Sequence, residues 1–311
     1  MSSYRFVDWI TQIFLGVVAL LAMVWHRTES PEWLYLVGAH VGTMLVIHTL
    51  VRADVRVGSA RVIRLLREVY PILLYTFFFR ETELINALSG WARLDPNFIE
   101  FEQRLFGFQP SVESMAAAPS VWLSELFFAS YFSYYLMVAG LGGWLLWRNP
   151  PAFRHFVAVV SFVFYVCYLT YMFVPVVGPR LMFRDTPERA LYSTLHEGAL
   201  PPDPPESVQQ GPFFGIMKLI YRNFEANSAA FPSSHVAVAL TTLWFSWRYV
   251  RPIRWLHAGV AALLCLSTVY CRYHYAVDVP AGILTALILV PIGNWLFRRV
   301  DGADAVQCIR S

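Results

Sequence analysis

Two short polar stretches interrupt the long apolar runs in the second half of the chain. The first, "FPSSH", ends at His235, and the second, "CRYHYAVD", contains His274 and Asp278. His274 and Asp278 are four residues apart, so on a helix their side chains share a face. A carboxylate bonded to one imidazole nitrogen fixes the tautomer and leaves the other nitrogen available as a nucleophile or base. The second stretch therefore has the residue types of a catalytic pair, although a purely structural pair has the same spacing.

Hydroxyl and guanidinium groups accompany these histidines. Ser233 or Ser234 can cap a helix that begins here, and the first amides of a helix form an anion site. A protonated His235 in that first turn is disfavoured by the helix dipole unless an anion lies beside it. Arg180, in "VVGPRL", and Arg272 can bind phosphate oxygens with their guanidinium forks. Such a set suits metal-free phosphoryl transfer, which mainly needs positioning and stabilisation of charge on oxygen.

The composition indicates an integral membrane protein. Of the 311 residues, 57% are hydrophobic and 14% are charged, whereas soluble domains carry about 25% charged residues. The net charge of +3 gives no reason to expect a nucleic-acid partner. Three of the four cysteines lie in or beside apolar runs and are interpreted as small core residues. No Cys, His or carboxylate cluster has metal-ligand spacing, so we expect neither a metal nor another cofactor. No small-residue cleavage site follows the first apolar run, so no cleavable signal peptide is expected.

The apolar runs predict an all-α, polytopic membrane protein, because a spanning helix needs about 20 mostly apolar residues. Seven runs have this character: Phe6–Trp25, Trp33–Val51, Val121–Trp147, His155–Val176, Val236–Val250, Ile253–Tyr270 and Pro280–Phe297. An eighth, Glu68–Leu88, is weaker because charged residues interrupt it, and an interfacial or re-entrant helix is the alternative. We expect about eight transmembrane helices.

The distribution of basic residues predicts the topology, because short basic loops stay in the cytoplasm. Basic residues are concentrated at 51–67, 148–154 and 247–255 and at the start of the C-terminal tail. With eight spans, all of these segments and the N-terminus lie on one face, whereas seven spans would move the first segment to the other face. Both termini are therefore predicted to be cytoplasmic.

The opposite face receives two long connections, 89–120 and 177–231. The first contains "FEQRLFGFQPS", an expected amphipathic segment lying on the membrane, and the second contains the loop-forming "PPDPPES". The alternation of spans brings Arg180, His235 and His274 to this face at one membrane depth. A single interfacial histidine or arginine is often an ordinary polar anchor, but several ionisable groups at membrane depth indicate function.

Three further polar residues are weaker candidates. Glu225 and Asn227 precede "FPSSH" and can contact a polar head group, although a solvated loop is the alternative. Glu125 begins the fourth span near the predicted site face and is a candidate substrate contact. His40 and His48, in the second span, are interpreted as packing or helix–helix hydrogen-bonding residues.

The two polar stretches resemble the motifs of a known superfamily. "PSSH", Pro232–His235, matches P-S-x-H, and His274 with Asp278 matches H-x-x-x-D, of the type 2 phosphatidic acid phosphatase superfamily, which is related to vanadium haloperoxidases. The resemblance covers about residues 65–300. It implies a six-helix core at 61–300, preceded by two additional transmembrane helices at 1–60 and followed by a cytoplasmic tail at 301–311.

This resemblance also implies roles for the residues. His274 would attack phosphorus and form a phosphohistidine, and Asp278 would orient it. His235 would protonate the leaving alkoxide and then act as a base on the acceptor. The remaining residues of the set would hold the phosphate: Arg180, Ser233, Ser234 and Arg272.

The chain departs from the superfamily pattern at two places. No Lys precedes Pro179 and Arg180, whose order is the reverse of the usual Arg-Pro, and Thr268 stands where the third motif usually has an Arg. "RYHYAVDV" and "QRLFGFQPS" are instead similar to the inositol phosphorylceramide synthase and inositolphosphotransferase branch. The phosphate-binding residues are therefore expected to differ from the usual set.

The resemblance implies a metal-independent enzyme that acts on a phosphate-linked lipid head group at the extracytoplasmic face. Its partners would be a membrane lipid, a hydroxyl acceptor and the bilayer. Transfer to an alcohol, such as a ceramide, diacylglycerol or inositol-type hydroxyl, is favoured by the altered third motif. The alternative is a lipid phosphate phosphatase that uses water, and a non-enzymatic lipid transporter or binder is a remote one. A bacterial inner membrane is the expected location, and a Golgi-type membrane with a lumenal site is physically equivalent.

Overall fold

A computed structural model of the chain describes residues 4–26, 31–56, 61–182, 204–224 and 230–310. Within these ranges the regular structure is helical and contains no strand. The helices before residue 121 are α1 (Phe6–Val24), α2 (Glu32–Arg56), α3 (Arg61–Ser89), α4 (Asp95–Phe106) and α5 (Pro110–Ala117). Those that follow are α6 (Val121–Arg148), α7 (Pro150–Phe173), α8 (Pro179–Met182), α9 (Glu206–Gln209), α10 (Pro212–Phe224), α11 (Ser234–Tyr249), α12 (Arg254–Tyr270) and α13 (Asp278–Arg310, kinked at Gly302).

Six helices in the described part of the chain are long and apolar enough to cross a membrane: α1, α2, α6, α7, α12 with the turn before it, and α13 as far as Gly302. The all-α, polytopic fold is confirmed, whereas the number of eight spans stays a prediction. The two other expected spans fall short for different reasons. Helix α11 has 16 residues and rises about 24 Å, less than the hydrocarbon core of about 30 Å. Helix α3 has 29 residues but contains several charges.

Two acidic residues of α3 have partners on or beside neighbouring helices. Glu81 lies 3.4 Å from Nε2 of His40 on α2. At the other end of α3, Glu68 accepts hydrogen bonds from Arg5 and from Arg154 at the start of α7. These pairings explain how an interrupted apolar run can still pack inside a helical bundle. The predicted packing role of His40 therefore takes the form of an interhelical contact.

Helix α7 lies at the centre of the bundle and packs against α1, α3, α6, α11 and α13. Its sequence "FVAVVSFVFY" is apolar on every side, which is typical of a helix buried on all sides. His155 directly precedes this stretch. Its Nδ1 lies 2.9 Å from the hydroxyl of Tyr249 on α11, and its Nε2 lies 2.6 Å from Oδ1 of Asn294 on α13. These contacts join three helices.

A buried ionic network joins helix ends at one end of the bundle. Arg67 of α3 donates to Asp8 of α1 over 2.9 Å and to Asp54 of α2 over 2.7 Å. Glu68, beside it, accepts from Nε of Arg154 over 2.7 Å. The starts of α1, α3 and α7 and the end of α2 therefore lie at the same end. The opposite end contains the end of α7, the start of α11 and the start of α13, which is the arrangement that alternating spans require.

The two long connections contain helices of their own. In 89–120, α4 is amphipathic as expected, but its buried face carries two acidic residues, Asp95 and Glu102. In 177–231, the described residues include α10, which begins at Pro212; proline is well tolerated in a first helical turn. Helix α10 packs against α6, close to the segment that carries His274.

Candidate active site

The structure brings the two histidines together. His235 lies in the first turn of α11, and His274 lies in the turn between α12 and α13. Their ring centroids are 5.8 Å apart. Nδ1 of His274 lies 3.1 Å from Oδ2 of Asp278, which is the first residue of α13. A carboxylate in this position benefits from the positive end of the helix dipole.

Burial controls the protonation of His274. Its side chain is almost completely enclosed, and the residue is 3% exposed. Burial lowers the pKa of His274 to about 4, and the nearby backbone of Ala230 opposes this shift only in part. The imidazole is therefore neutral near pH 7. With the proton on Nδ1, toward Asp278, the lone pair lies on Nε2.

The serine segment is fixed by backbone hydrogen bonds. Ser233 is the N-cap of α11, and its Oγ accepts from the amide of Val236 over 3.3 Å. The amide of Ser234 donates to the hydroxyl of Tyr171 over 3.1 Å, and that hydroxyl donates to the carbonyl of Pro232 over 3.0 Å. Both serines are buried. The segment therefore has the expected cap, and Tyr171 of α7 holds it in place.

Close packing joins the serine segment to α13. A Cβ atom at Gly282 would lie 2.6 Å from the carbonyl oxygen of Ser233. The amide of Ser233 also donates to the carbonyl of Asp278 over 3.3 Å. The short distance between the two motifs therefore requires glycine at position 282, one helical turn after Asp278.

Arg180 is held by aromatic rings beside the His274 turn. Its guanidinium carbon lies 4.2 Å from the ring centroid of Tyr221 on α10 and 5.7 Å from that of Tyr273. These two rings are stacked, with centroids 4.4 Å apart. Gly178, with φ +97°, allows the turn before Arg180 to approach, since a Cβ there would lie 3.1 Å from the carbonyl oxygen of Tyr273. The structure thus places Arg180 next to the residue that precedes His274.

Arg272 contacts a different element. Its Nη2 donates to the carbonyl of Val112 on α5 over 3.2 Å, and the side chain is buried. The carbonyl of Thr268 accepts the amides of Tyr273 and His274, both over 3.0 Å. Arg272 therefore joins this turn to α5, and its predicted contact with phosphate stays a prediction.

Glu125 caps a helix. Its Oε2 accepts the amide of Phe213 over 2.8 Å and its Oε1 accepts the amide of Phe214 over 3.1 Å, at the start of α10. It also lines a cavity of about 710 Å³ between α6 and the α9–α10 segment, together with Trp122. Its carboxylate is thus engaged with α10, and contact with a substrate stays a prediction. Glu225 and Asn227 lie outside the described residues.

Sequence reasoning missed the aromatic surroundings of His235. The rings of Tyr131 and Tyr134 on α6 lie 4.9 and 4.7 Å from its imidazole, centroid to centroid. The hydroxyl of Tyr131 lies 2.5 Å from that of Tyr221 on α10. Buried tyrosines usually place their hydroxyl on a polar partner, so the "YFSYY" cluster within an apolar span was a usable signal.

Among the described residues, no three His, Cys, Asp or Glu side chains form a group that could hold a metal ion. Metal independence stays a prediction that only an activity measurement tests.

A sequence model of the PAP2 superfamily matches residues 97–292, which extend from α4 into α13 and include His235, His274 and Asp278. No curated protein and no solved structure matches the chain.

Proposed function

Because the chain belongs to the PAP2 superfamily, we propose that it is a membrane enzyme that cleaves or transfers a phosphate-linked lipid head group through a phosphohistidine at His274. The observation that supports this most strongly is the placement of His274, bonded to Asp278, beside His235. A neutral, oriented imidazole next to a second imidazole has the parts of a nucleophile and its acid–base partner.

In the first step, Nε2 of His274 attacks phosphorus and the bond from phosphorus to the lipid oxygen breaks. A protonated His235 donates its proton to the leaving alkoxide, and the negative charge of the bound phosphate favours that protonated form. In the second step, His235 takes the proton from the acceptor hydroxyl, whose oxygen attacks phosphorus. The bond from phosphorus to nitrogen breaks, and the neutral His274 is restored.

The phosphate oxygens need fixed donors during both steps. In this proposal Arg180 provides them, held over Tyr221 and Tyr273 so that little side-chain freedom is lost when substrate binds. In the same proposal, Ser233, Ser234 and the first amides of α11 complete the anion site. Arg272 contributes to phosphate binding indirectly, because it belongs to the same turn as His274.

We favour an alcohol over water as the acceptor. The segments "RYHYAVDV" and "QRLFGFQPS" resemble inositol phosphorylceramide synthases and inositolphosphotransferases. Tyr131 and Tyr134 pack directly on His235, and aromatic packing around the base disfavours bulk water there. A phosphatase that uses water is the second candidate, because the same residues can activate either acceptor.

A bacterial inner membrane with cytoplasmic termini and an outward-facing site agrees with the basic segments. The site lies at the end of the bundle opposite the Arg67 network, and the basic 51–67 segment reaches that network. Activity is expected to persist in a metal chelator, and loss of activity in chelator would contradict metal independence.

The test uses purified protein in detergent with ³²P-labelled phosphatidic acid and phosphatidylinositol, each with and without ceramide, inositol or a diacylglycerol whose acyl chains differ from those of the substrate. Labelled product that appears only with an alcohol supports transfer, and free phosphate or phosphoinositol without one supports the phosphatase. His274→Ala should reduce turnover at least about 1,000-fold, because it removes the nucleophile. His48→Ala, on the exposed part of α2, is the matched control. Unchanged turnover in His274→Ala would refute the proposed function.

A further inference from the structure

Helix α4 buries two acidic residues that the proposed chemistry does not use. Asp95 and Glu102 are both 0% exposed and lie on one face with Ile99, whereas Phe101, on another face, is 54% exposed. Among the described residues, neither carboxylate forms an ion pair. Burial of a carboxylate is costly unless hydrogen bonds compensate it, so the partners of these two residues indicate why they are buried.

Asp95 joins the two turns that carry the predicted site residues. Its carboxylate accepts the amide of Val177 over 2.9 Å and the amide of Gly178 over 2.9 Å, just before Arg180. It also accepts the hydroxyl of Tyr275, directly after His274, over 3.1 Å. Three donors from two separate segments therefore converge on one carboxylate.

Glu102 holds the second of these turns. Its Oε1 accepts the amide of Val277 over 3.1 Å, one residue before Asp278. Burial raises the pKa of Glu102 to about 7, and the nearby charge of Asp278 adds to this effect. Oε2 of Glu102 and Oδ1 of Asp278 are both buried without a hydrogen-bond partner in the described part of the chain. If Glu102 only anchored α4 to the protein, burial of carboxylate oxygens without hydrogen-bond partners would not be needed.

We propose that Asp95 and Glu102 are positioning residues, which set the distance between the Arg180 turn and the His274–Asp278 turn. This inference rests on the proposed function. Neither residue touches the substrate; each acts through backbone amides and, for Asp95, through Tyr275. A phosphate held by Arg180 is then presented to His274 at a fixed distance, and small displacements of reacting groups can cost about 100-fold in rate.

The two acids should have different kinetic effects. Glu102 supports only the His274–Asp278 turn, so Glu102→Leu should lower kcat about 10- to 100-fold and leave KM within about twofold. Glu102→Gln keeps an acceptor for Val277 and should restore kcat to within about threefold of wild type. Asp95→Leu removes the acceptor that both turns share and should lower kcat and raise KM. Glu100→Leu, an exposed position on the same helix, is the matched control.

Hydrogen–deuterium exchange provides a readout that does not depend on activity. Asp95→Leu should speed exchange in 175–182, where it removes the acceptor of the amides of Val177 and Gly178. Glu102→Leu should speed exchange in 273–279, and Glu100→Leu should change neither segment. Unchanged exchange in both segments would refute the positioning role whatever the activity.

The kinetic and exchange results separate this inference from the proposed function. If the wild type processes none of the lipid phosphates, the proposed function fails, and the exchange data still decide whether the acids hold the turns. If the wild type is active, a Glu102→Leu variant as fast as Glu100→Leu overturns the inference. A Glu102→Gln variant as slow as Glu102→Leu also overturns it, since charge rather than position would then matter. Should Asp95→Leu fail to fold, the Glu102 variants give the answer.

Discussion

A neutral imidazole is required of a histidine nucleophile, and burial provides it at His274. The low pKa of this residue, about 4, keeps Nε2 unprotonated near neutral pH. Asp278 fixes the tautomer through Nδ1. The spacing of the two residues made this pair predictable from the sequence. The burial that lowers the pKa was not, because it depends on segments far away in the chain.

At the residue scale, the two arginines differ in what they contact. Arg180→Lys loses the planar stacking on Tyr221 and the forked geometry for phosphate, so KM should rise about tenfold, or about 1.4 kcal/mol. Arg272→Lys should mainly lower the melting temperature, because Arg272 bonds to Val112. Steady-state kinetics and thermal unfolding of both variants check this. A larger rise in KM for Arg272→Lys than for Arg180→Lys would show that Arg272 is the main phosphate ligand.

At the scale of the elements, the distance between α11 and α13 determines how close the two histidines lie. The alternation of apolar runs predicted that these helices start at the same end, and the serine motif predicted the cap of α11. The role of α4 was not predictable in the same way. Its acids read as the polar side of a surface helix, because their partners, such as Val177 and Val277, are backbone groups distant in sequence.

Gly282 tests this dependence on helix distance. Gly282→Ala introduces a Cβ that would lie 2.6 Å from the Ser233 carbonyl, so α11 and α13 must separate. We expect lower kcat and a lower melting temperature. Gly259→Ala on α12 has open space around it and should be neutral or slightly stabilising, since alanine favours helix over glycine by about 1 kcal/mol. Equal behaviour of the two variants would show that the close approach is not required.

At the scale of the whole molecule, the ionic network and the predicted active site lie at opposite ends of the bundle. The network joins α1 and α2 to α3 and α7 through Arg67 and Glu68. The match to the PAP2 superfamily begins at residue 97, so α1 to α3 precede it. The network therefore attaches the N-terminal helices to the matched part of the chain. The sequence showed its charges, but their pairing emerged only from the structure.

Replacement of Arg67 should lower the stability of the fold without lowering the activity of the folded molecules. Arg67→Met leaves the buried charge of Asp8 without its cation, which typically costs about 3–5 kcal/mol. The melting temperature should therefore fall markedly, while kcat per folded molecule stays within about twofold. Arg61→Met, at the exposed start of α3, is the control and should change neither quantity. A loss of kcat without a loss of stability would mean that this end of the bundle affects the site.

The phosphohistidine itself can be trapped. Wild-type protein mixed with ³²P-labelled lipid phosphate and quenched in alkaline detergent should carry label that is stable to alkali and released by acid, as expected of a phosphohistidine. His274→Ala should carry none, and His48→Ala should carry as much as wild type. Rapid turnover without labelled protein, or equal labelling of His274→Ala, would contradict nucleophilic attack by His274.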